Sequence, residues 1–122
     1  MSTIAMTAEV FEASVVKEGI IFVDFWAAWC GPCRSFAPIF EQASLTHPDI
    51  TFAKIDTEAE QALAAAAQIT SIPTLMAFRD GVLVYREAGD LPASALEQLV
   101  TSIRELNMDD VRNQISEGTV SE

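Results

Sequence analysis

Cysteine and histidine are scarce in this chain. Cys30, Cys33 and His47 are all the thiol and imidazole ligands that its 122 residues offer. A structural zinc site takes four ligands as a rule, so the inventory argues against one. An iron–sulfur cluster shared between two chains stays formally open. A bridge between cysteines this close in sequence would close too small a loop to act as a useful staple. A reducing compartment, the cytoplasm, therefore fits the cysteine usage best.

Basic residues are few as well: seven Lys and Arg stand against 18 Asp and Glu, for a net charge of −11. Such a surface disfavours nucleic acid and anionic membranes, keeps the protein soluble, and suits basic patches on partners. No apolar run approaches the ~20 residues of a membrane helix. Met1 to Met6 contains no basic region and no long apolar run follows it, so no signal peptide is expected. Internal repeats and domain linkers are missing too. What remains is the length of one domain with 50% apolar residues, enough to build a core.

The periodicity of those apolar residues predicts alternating strands and helices. Thr3 to Met6 reads as a short edge strand. Thr7 is a plausible helix cap, with Glu9 in the first turn, for a helix to about Lys17 that Gly19 ends. Ile20 to Trp26 is apolar on both faces apart from Asp24, as a central strand covered on both sides should be. Phe36, Ile39, Phe40 and Ala43 form the stripe of a helix from about Cys30 to His47, with Pro38 inside it as an expected kink. Thr51 to Asp56 is a second buried strand, joined to the first by a crossover. Thr57 is a candidate cap for a helix from Glu58 to about Gln68, whose alanine run, Ala64 to Ala67, is expected to pack closely. Thr74 to Arg79 and Val82 to Ala88 read as a hairpin joined by Asp80-Gly81. Pro92 opens a last helix to about Glu105, buried through Leu96, Leu99, Val100 and Ile103. From Asn107 the chain turns polar; Val111 and Ile115 could dock one helical turn, but a flexible tail over 107–122 is the favoured reading.

Within that order, a strand, two small residues and then Trp29-Cys30-Gly31-Pro32-Cys33 open a helix. A Cys-x-x-Cys pair so placed is the thioredoxin-like redox motif. Trp26-Ala27-Ala28-Trp29-Cys30-Gly31-Pro32-Cys33, after Val23-Asp24-Phe25, resembles the active site of the thioredoxins. Ser71-Ile72-Pro73-Thr74 resembles the family's cis-proline loop, and Ala88-Gly89 its glycine loop. The resemblance covers roughly Thr3 to Leu106. It implies a thioredoxin fold of class α/β: a central mixed sheet of about five strands with helices on both faces. The domain expected is 1–106, with 107–122 a polar tail.

The residues themselves support redox chemistry. Positions i and i+3 on a helix are neighbours about 5–6 Å apart, within the span a disulfide needs. A bond between Cys30 and Cys33 could therefore form and break with little backbone movement. At a helix N-terminus the unpaired N–H groups and the dipole favour a thiolate on Cys30, the nucleophilic form. Cys33, one turn deeper, is by geometry and by the resemblance the resolving thiol, which would release a mixed disulfide. Gly31 leaves the loop tip bare and Pro32 fixes φ; the resemblance implies that this pair goes with a reducing poise. Arg34 either adds positive potential near the thiolate or is an exposed first-turn charge.

Asp24 and Lys54 are charges inside buried strands, so burial should raise the carboxyl pKa. They read either as a structural pair or as a proton-transfer group, Asp24, serving Cys33 and modulated by Lys54; the resemblance supports the second. It also places Trp29, Ile72, Pro73 and Gly89 on the substrate-docking rim, with a cis Ile72–Pro73 bond across from Cys30. The backbone of Ile72 could then pair with a substrate strand. Trp26 is expected to pack beneath the site. Ser71 and Asp90 depart from the glycine and alanine common in the family and bear on target preference.

The function implied is a protein-disulfide reductase in cell redox homeostasis. The resemblance implies that a flavin-dependent thioredoxin reductase recharges it from NADPH, that disulfide-containing proteins are its targets, and that no cofactor is bound to this chain. A monomer is expected. The alternatives are a thioredoxin-fold binding module or subunit in which redox activity is secondary, and an oxidant or isomerase of an oxidising compartment.

Overall fold

The computed structural model describes residues 3–116. In chain order these form β1 (Ile4–Ala5), α1 (Ala8–Ser14), β2 (Ile20–Trp26), α2 (Gly31–Thr46), β3 (Thr51–Asp56), α3 (Gln61–Ala66), β4 (Thr74–Arg79), β5 (Val82–Ala88), α4 (Ala93–Arg104) and α5 (Met108–Ser116). The five strands make one mixed sheet in the order β1-β3-β2-β4-β5. β1, β3 and β2 run parallel; β4 is antiparallel to β2 and β5 to β4.

Strand alternation divides the core in two. On one face Phe22, Phe52, Leu75 and Ala77 meet Phe36, Phe40 and Ala43 of α2 and Leu96, Val100 and Ile103 of α4. On the other, Ile21, Val23, Phe25, Ala53, Ile55 and Met76 meet Leu63 of α3 and Phe11 of α1. This is why β2 is apolar on both sides. Phe52 stacks on Phe22 with centroids 5.3 Å apart and takes the edge of Phe40 at 5.2 Å. Those rings fix α2, and hence its N-terminus, against the sheet. Each such buried ring is worth about 3–5 kcal/mol on truncation to alanine.

The hairpin turn bears out its Asp-Gly signal. Asp80 and Gly81 take φ of 54° and 84°, the two left-handed positions of a tight hairpin turn. A Cβ on Gly81 would stand 3.2 Å from the Val16 carbonyl oxygen, so this glycine is needed for space as well as for conformation.

Several boundaries differ from the sequence reading. α1 stops at Ser14, where Val15 caps it, short of Lys17. Thr57 does not cap α3. Its hydroxyl donates to the Trp26 carbonyl, and Asp56 Oδ1 accepts from the backbone N–H of Glu58. Those local bonds hold residues 57–59 out of the helix, which begins only at Gln61. Within it Leu63 alone is buried, while Ala65 and Ala66 are exposed, so the alanine run does not pack closely as expected. Pro92 is the cap of α4 and not its first turn.

The largest difference is the segment from Asn107, for which the sequence favours a flexible tail. Residues Met108–Ser116 form α5. Asn107 Oδ1 accepts from the Asp110 N–H at 3.1 Å, a side-chain cap, and Asp109 and Asp110 suit the first turn of a helix. Met108 is buried and Val111 half-buried, whereas Ile115 is exposed. The docking pair is therefore Met108 with Val111, one turn earlier than the spacing of Val111 and Ile115 suggests. Arg79 secures the junction, its Nη1 donating to the carbonyls of Ile103 and Leu106, each at 2.8 Å. The part of the expected tail over 117–122 lies outside the described residues.

Candidate active site

β2 delivers the chain to the upper edge of the sheet, where fully buried Ala27 turns it toward α2. Cys30 is the cap residue of that helix, with extended backbone. The Cys33 N–H points at Cys30 Sγ from 3.1 Å. This is the donor that a helix start leaves unpaired, and it would stabilise a thiolate at that atom. The two sulfurs are joined as a disulfide across Cα atoms 5.2 Å apart. Both cysteines are buried to a similar degree, so exposure does not tell them apart. Position does: Cys30 lines a surface groove of about 490 Å³, together with Trp29, Gly31, Pro32, Ile69 and Ile72. Cys33 lies behind it.

The opposite wall of the groove is the segment before β4. Ile72–Pro73 is a cis peptide, and the Ile72 carbonyl oxygen lies 3.6 Å from Cys30 Sγ. Two bonds hold this wall. The Gly89 N–H donates to the Pro73 carbonyl at 2.8 Å, and the Thr74 hydroxyl donates to the Ser71 carbonyl at 2.6 Å. Gly89 has φ of 106°, a conformation open to glycine and strained for other residues. Ser71 and Asp90 are both exposed beside it. Trp29 is 67% exposed and is steadied by its indole N–H, which donates to Glu58 Oε2 at 3.2 Å. Arg34 folds back so that Nη1 donates to the Ala28 carbonyl at 2.8 Å.

Beneath α2, on the sheet face of Phe22, sits Asp24. It is completely buried, and neither carboxylate oxygen has a hydrogen-bond partner. Burial pushes its pKa from 3.8 up to about 7, with Lys54 pulling the other way. Lys54 is the register partner of Asp24 on β3, and its ammonium lies 4.8 Å from the centre of the Trp26 ring. Trp26 is only partly buried, forming one wall of a hollow with Met6, Lys54, Asp56 and Glu60.

The fold thus gathers Cys30, Cys33, Gly31, Pro32, Trp29, Ile72, Pro73 and Gly89 where the central strand β2 ends and β4 begins, with Asp24 and Lys54 below. Sequence reasoning missed Thr57, Ala64, Ile69 and Thr70, which also line the groove, and Glu58, which holds Trp29. None carries a local signal, because the groove arises only when α3 and the segment after it fold beside α2. His47, by contrast, is at the far end of α2 with Nε2 2.8 Å from Glu97 Oε1. Among the described residues no group of three or more His, Cys, Asp or Glu could hold a metal ion.

Comparison with known proteins agrees with this geometry. The family model described as Thioredoxin matches residues 2–102. A Streptomyces coelicolor protein that carries the provisional name thioredoxin 2 is 45% identical over 116 residues, covering 95% of this chain and 87% of its own. The thioredoxin of Bacillus subtilis is 38% identical over 101 residues, covering 82% and 96%. Among solved structures, a thioredoxin variant from Halobacterium salinarum superposes with a TM-score of 0.79 at 32% identity, covering 87% of this chain and 94% of that one.

Proposed function

The chain belongs to the thioredoxin family and is a thiol–disulfide oxidoreductase, and from that premise we propose how its residues divide the work. The electrons it exchanges reside in the Cys30–Cys33 pair. In the reduced form the Cys30 thiolate attacks a target disulfide, forming a mixed disulfide and releasing one target thiolate. Cys33 then gives up its proton, attacks Cys30 Sγ and releases the second target thiolate. Two electrons pass to the target, and this chain is left as the Cys30–Cys33 disulfide. The observation that carries the order of attack is that Cys30, and not Cys33, lines the groove and faces Ile72 O at 3.6 Å.

Asp24 is the proton acceptor for Cys33 in this reading. It lies on the sheet face that α2 covers, and a pKa of about 7 is poised for transfer near neutral pH. Lys54 tempers that value. Trp29, Ile72, Pro73 and Gly89 form the docking rim, where a target strand pairs with the Ile72 backbone. Gly31 and Pro32 keep the loop tip low and the poise reducing. The redox unit is 1–106, with α5 appended to it. The chain acts on disulfides of partner proteins as a monomer, in the cytoplasm, recharged by a flavin-dependent thioredoxin reductase at the expense of NADPH. No helix of the described residues is long and apolar enough to cross a membrane.

The test is NADPH oxidation coupled through a thioredoxin reductase to reduction of a protein disulfide. Turnover that depends on this chain supports the reading. Binding of the reductase or of a target without turnover would overturn it in favour of a binding module.

A further inference from the structure

The groove at Cys30 does not end at Ile69 and Thr70. Those two residues also form the near wall of a second hollow of about 680 Å³, completed by Ala65, Gln68, Leu83 and Arg86. Two of these side chains lie on β5, the edge strand of the sheet. Leu83 is 38% exposed, a large apolar side chain left open at the floor of a concave surface. Arg86 reaches across to the end of α3 and donates from Nη1 to the Ala67 carbonyl and from Nη2 to the Gln68 carbonyl, each at 2.7 Å. Those bonds use two of the five N–H donors of the guanidinium. Among the described residues, no carboxylate lies within ion-pair distance of Arg86, although acids outnumber bases by 18 to seven in the chain.

We propose that this second hollow is a subsite for the target polypeptide on either side of the attacked disulfide, taking an apolar side chain against Ile69 and Leu83 and a carboxylate on Arg86. The inference rests on the reading of Cys30 as the attacking thiol. A target strand paired with the Ile72 backbone must continue past the sulfur, and the open path leads over Ile69. There the surface offers an apolar patch followed by a fixed cation that no carboxylate of the described residues neutralises. In a chain of net charge −11 that cation is a local exception, so it discriminates where the general surface repels acids. Arg86 is also a positioning residue: its two carbonyl bonds tie the segment leading to Ile72 and Pro73 onto β5. A structural tie would affect all targets alike, whereas a subsite distinguishes them by charge.

The experiment uses two synthetic peptides, each joined through its cysteine to a second cysteine by a disulfide. One carries Leu and Glu on both sides of the cysteine, the other Leu and Lys. The kcat/KM for each is measured at physiological salt for the wild type, Arg86→Gln, Arg86→Glu and Leu83→Ser, with a small organic disulfide as the reference for the redox centre. The negative surface favours the basic peptide at long range in every variant, so the readout is the change in the acidic-to-basic ratio. That ratio should fall about fivefold from wild type to Arg86→Glu, the scale of one exposed ion pair at its upper end, with Arg86→Gln between them. Leu83→Ser should slow both peptides without moving the ratio. A ratio that stays constant across the Arg86 variants would overturn the subsite even if both peptides slow together, since that pattern is the structural tie alone. Failure of the wild type on the small disulfide would instead overturn the redox reading beneath it.

Discussion

Asp24 and Lys54 face one another at the same register position of the parallel pair β2 and β3, yet no hydrogen bond joins them. The Lys54 ammonium lies over the Trp26 ring, 4.8 Å from its centre, and both Asp24 oxygens are unpartnered. A close ion pair would hold the carboxyl well below the usual carboxylate range. Here burial wins over the distant cation, and the pKa rises to about 7. The arrangement keeps a buried acid able to gain or lose a proton near neutral pH, beneath the helix that opens at the Cys30–Cys33 pair.

The division between the thiols gives the most direct prediction. Cys33→Ser should still attack a target disulfide and should accumulate the mixed disulfide through Cys30, because nothing remains to release it. Cys30→Ser should form none and should lose reductase activity altogether. Mass spectrometry of the trapped species decides the matter. Covalent complexes from Cys30→Ser and none from Cys33→Ser would reverse the roles.

A second prediction concerns the glycine loop. At φ of 106° an alanine at position 89 meets no atom within 4 Å, so the whole cost is backbone strain, about 1–2 kcal/mol. Relief of that strain would shift the Gly89 N–H away from the Pro73 carbonyl and disturb the wall facing Cys30. Gly89→Ala should therefore lower the melting temperature by about 5 °C and raise KM for a protein disulfide several-fold. A variant with unchanged KM would remove Gly89 from the docking rim.

The third prediction follows from α5. Met108 is 7% exposed, and truncating a buried methionine costs about 2 kcal/mol at the lower end of its range. Met108→Ala should lower the melting temperature by about 6 °C, followed by circular dichroism, while leaving redox turnover near that of the wild type. No change in melting temperature would mean that α5 is not docked in solution.

How far the sequence revealed this molecule depended on how local the signals were. The strands, the Asp80-Gly81 turn and the helix-opening Cys30-Gly31-Pro32-Cys33 are each written in a few adjacent residues, and the sheet they imply is the sheet observed. The helix around Ala64 is shorter than its alanine propensity suggests, because Asp56 and Thr57 divert the preceding backbone into side-chain bonds. The Asn107 cap and the two acids after it are local signals for α5 that its polar composition outweighs, and its anchor is remote: Arg79, on β4, binds the carbonyls at the end of α4 and so sets the path into α5. The groove walls Ile69 and Thr70, and the steadying of Trp29 by Glu58, exist only as tertiary relations, which no spacing along the chain encodes.

The last prediction returns to Asp24. Its pKa is 3.8 for the free carboxyl and about 7 in the fold. Between those values the native state binds more protons than the unfolded one. The raised pKa therefore costs almost nothing below about pH 3; the cost grows as pH rises and levels off above about pH 7. Each pKa unit is about 1.4 kcal/mol, so the penalty is about 1–2 kcal/mol at pH 5 and about 4 kcal/mol at pH 8. Asparagine cannot ionise and escapes it. The stability of Asp24→Asn relative to wild type should thus rise by about 2–3 kcal/mol between pH 5 and pH 8, read from denaturant midpoints at the two pH values. The steric and hydrogen-bonding cost of a buried amide is the same at both pH values and cancels from that difference. Catalysis should move the other way. Without a carboxylate to accept the Cys33 proton, release of the mixed disulfide slows by about 10²-fold or more, and single-turnover reduction of a protein disulfide reports it. A variant whose relative stability does not change with pH, and which releases its target as fast as the wild type, would show that Lys54 pairs with Asp24 in solution and that the carboxyl moves no proton.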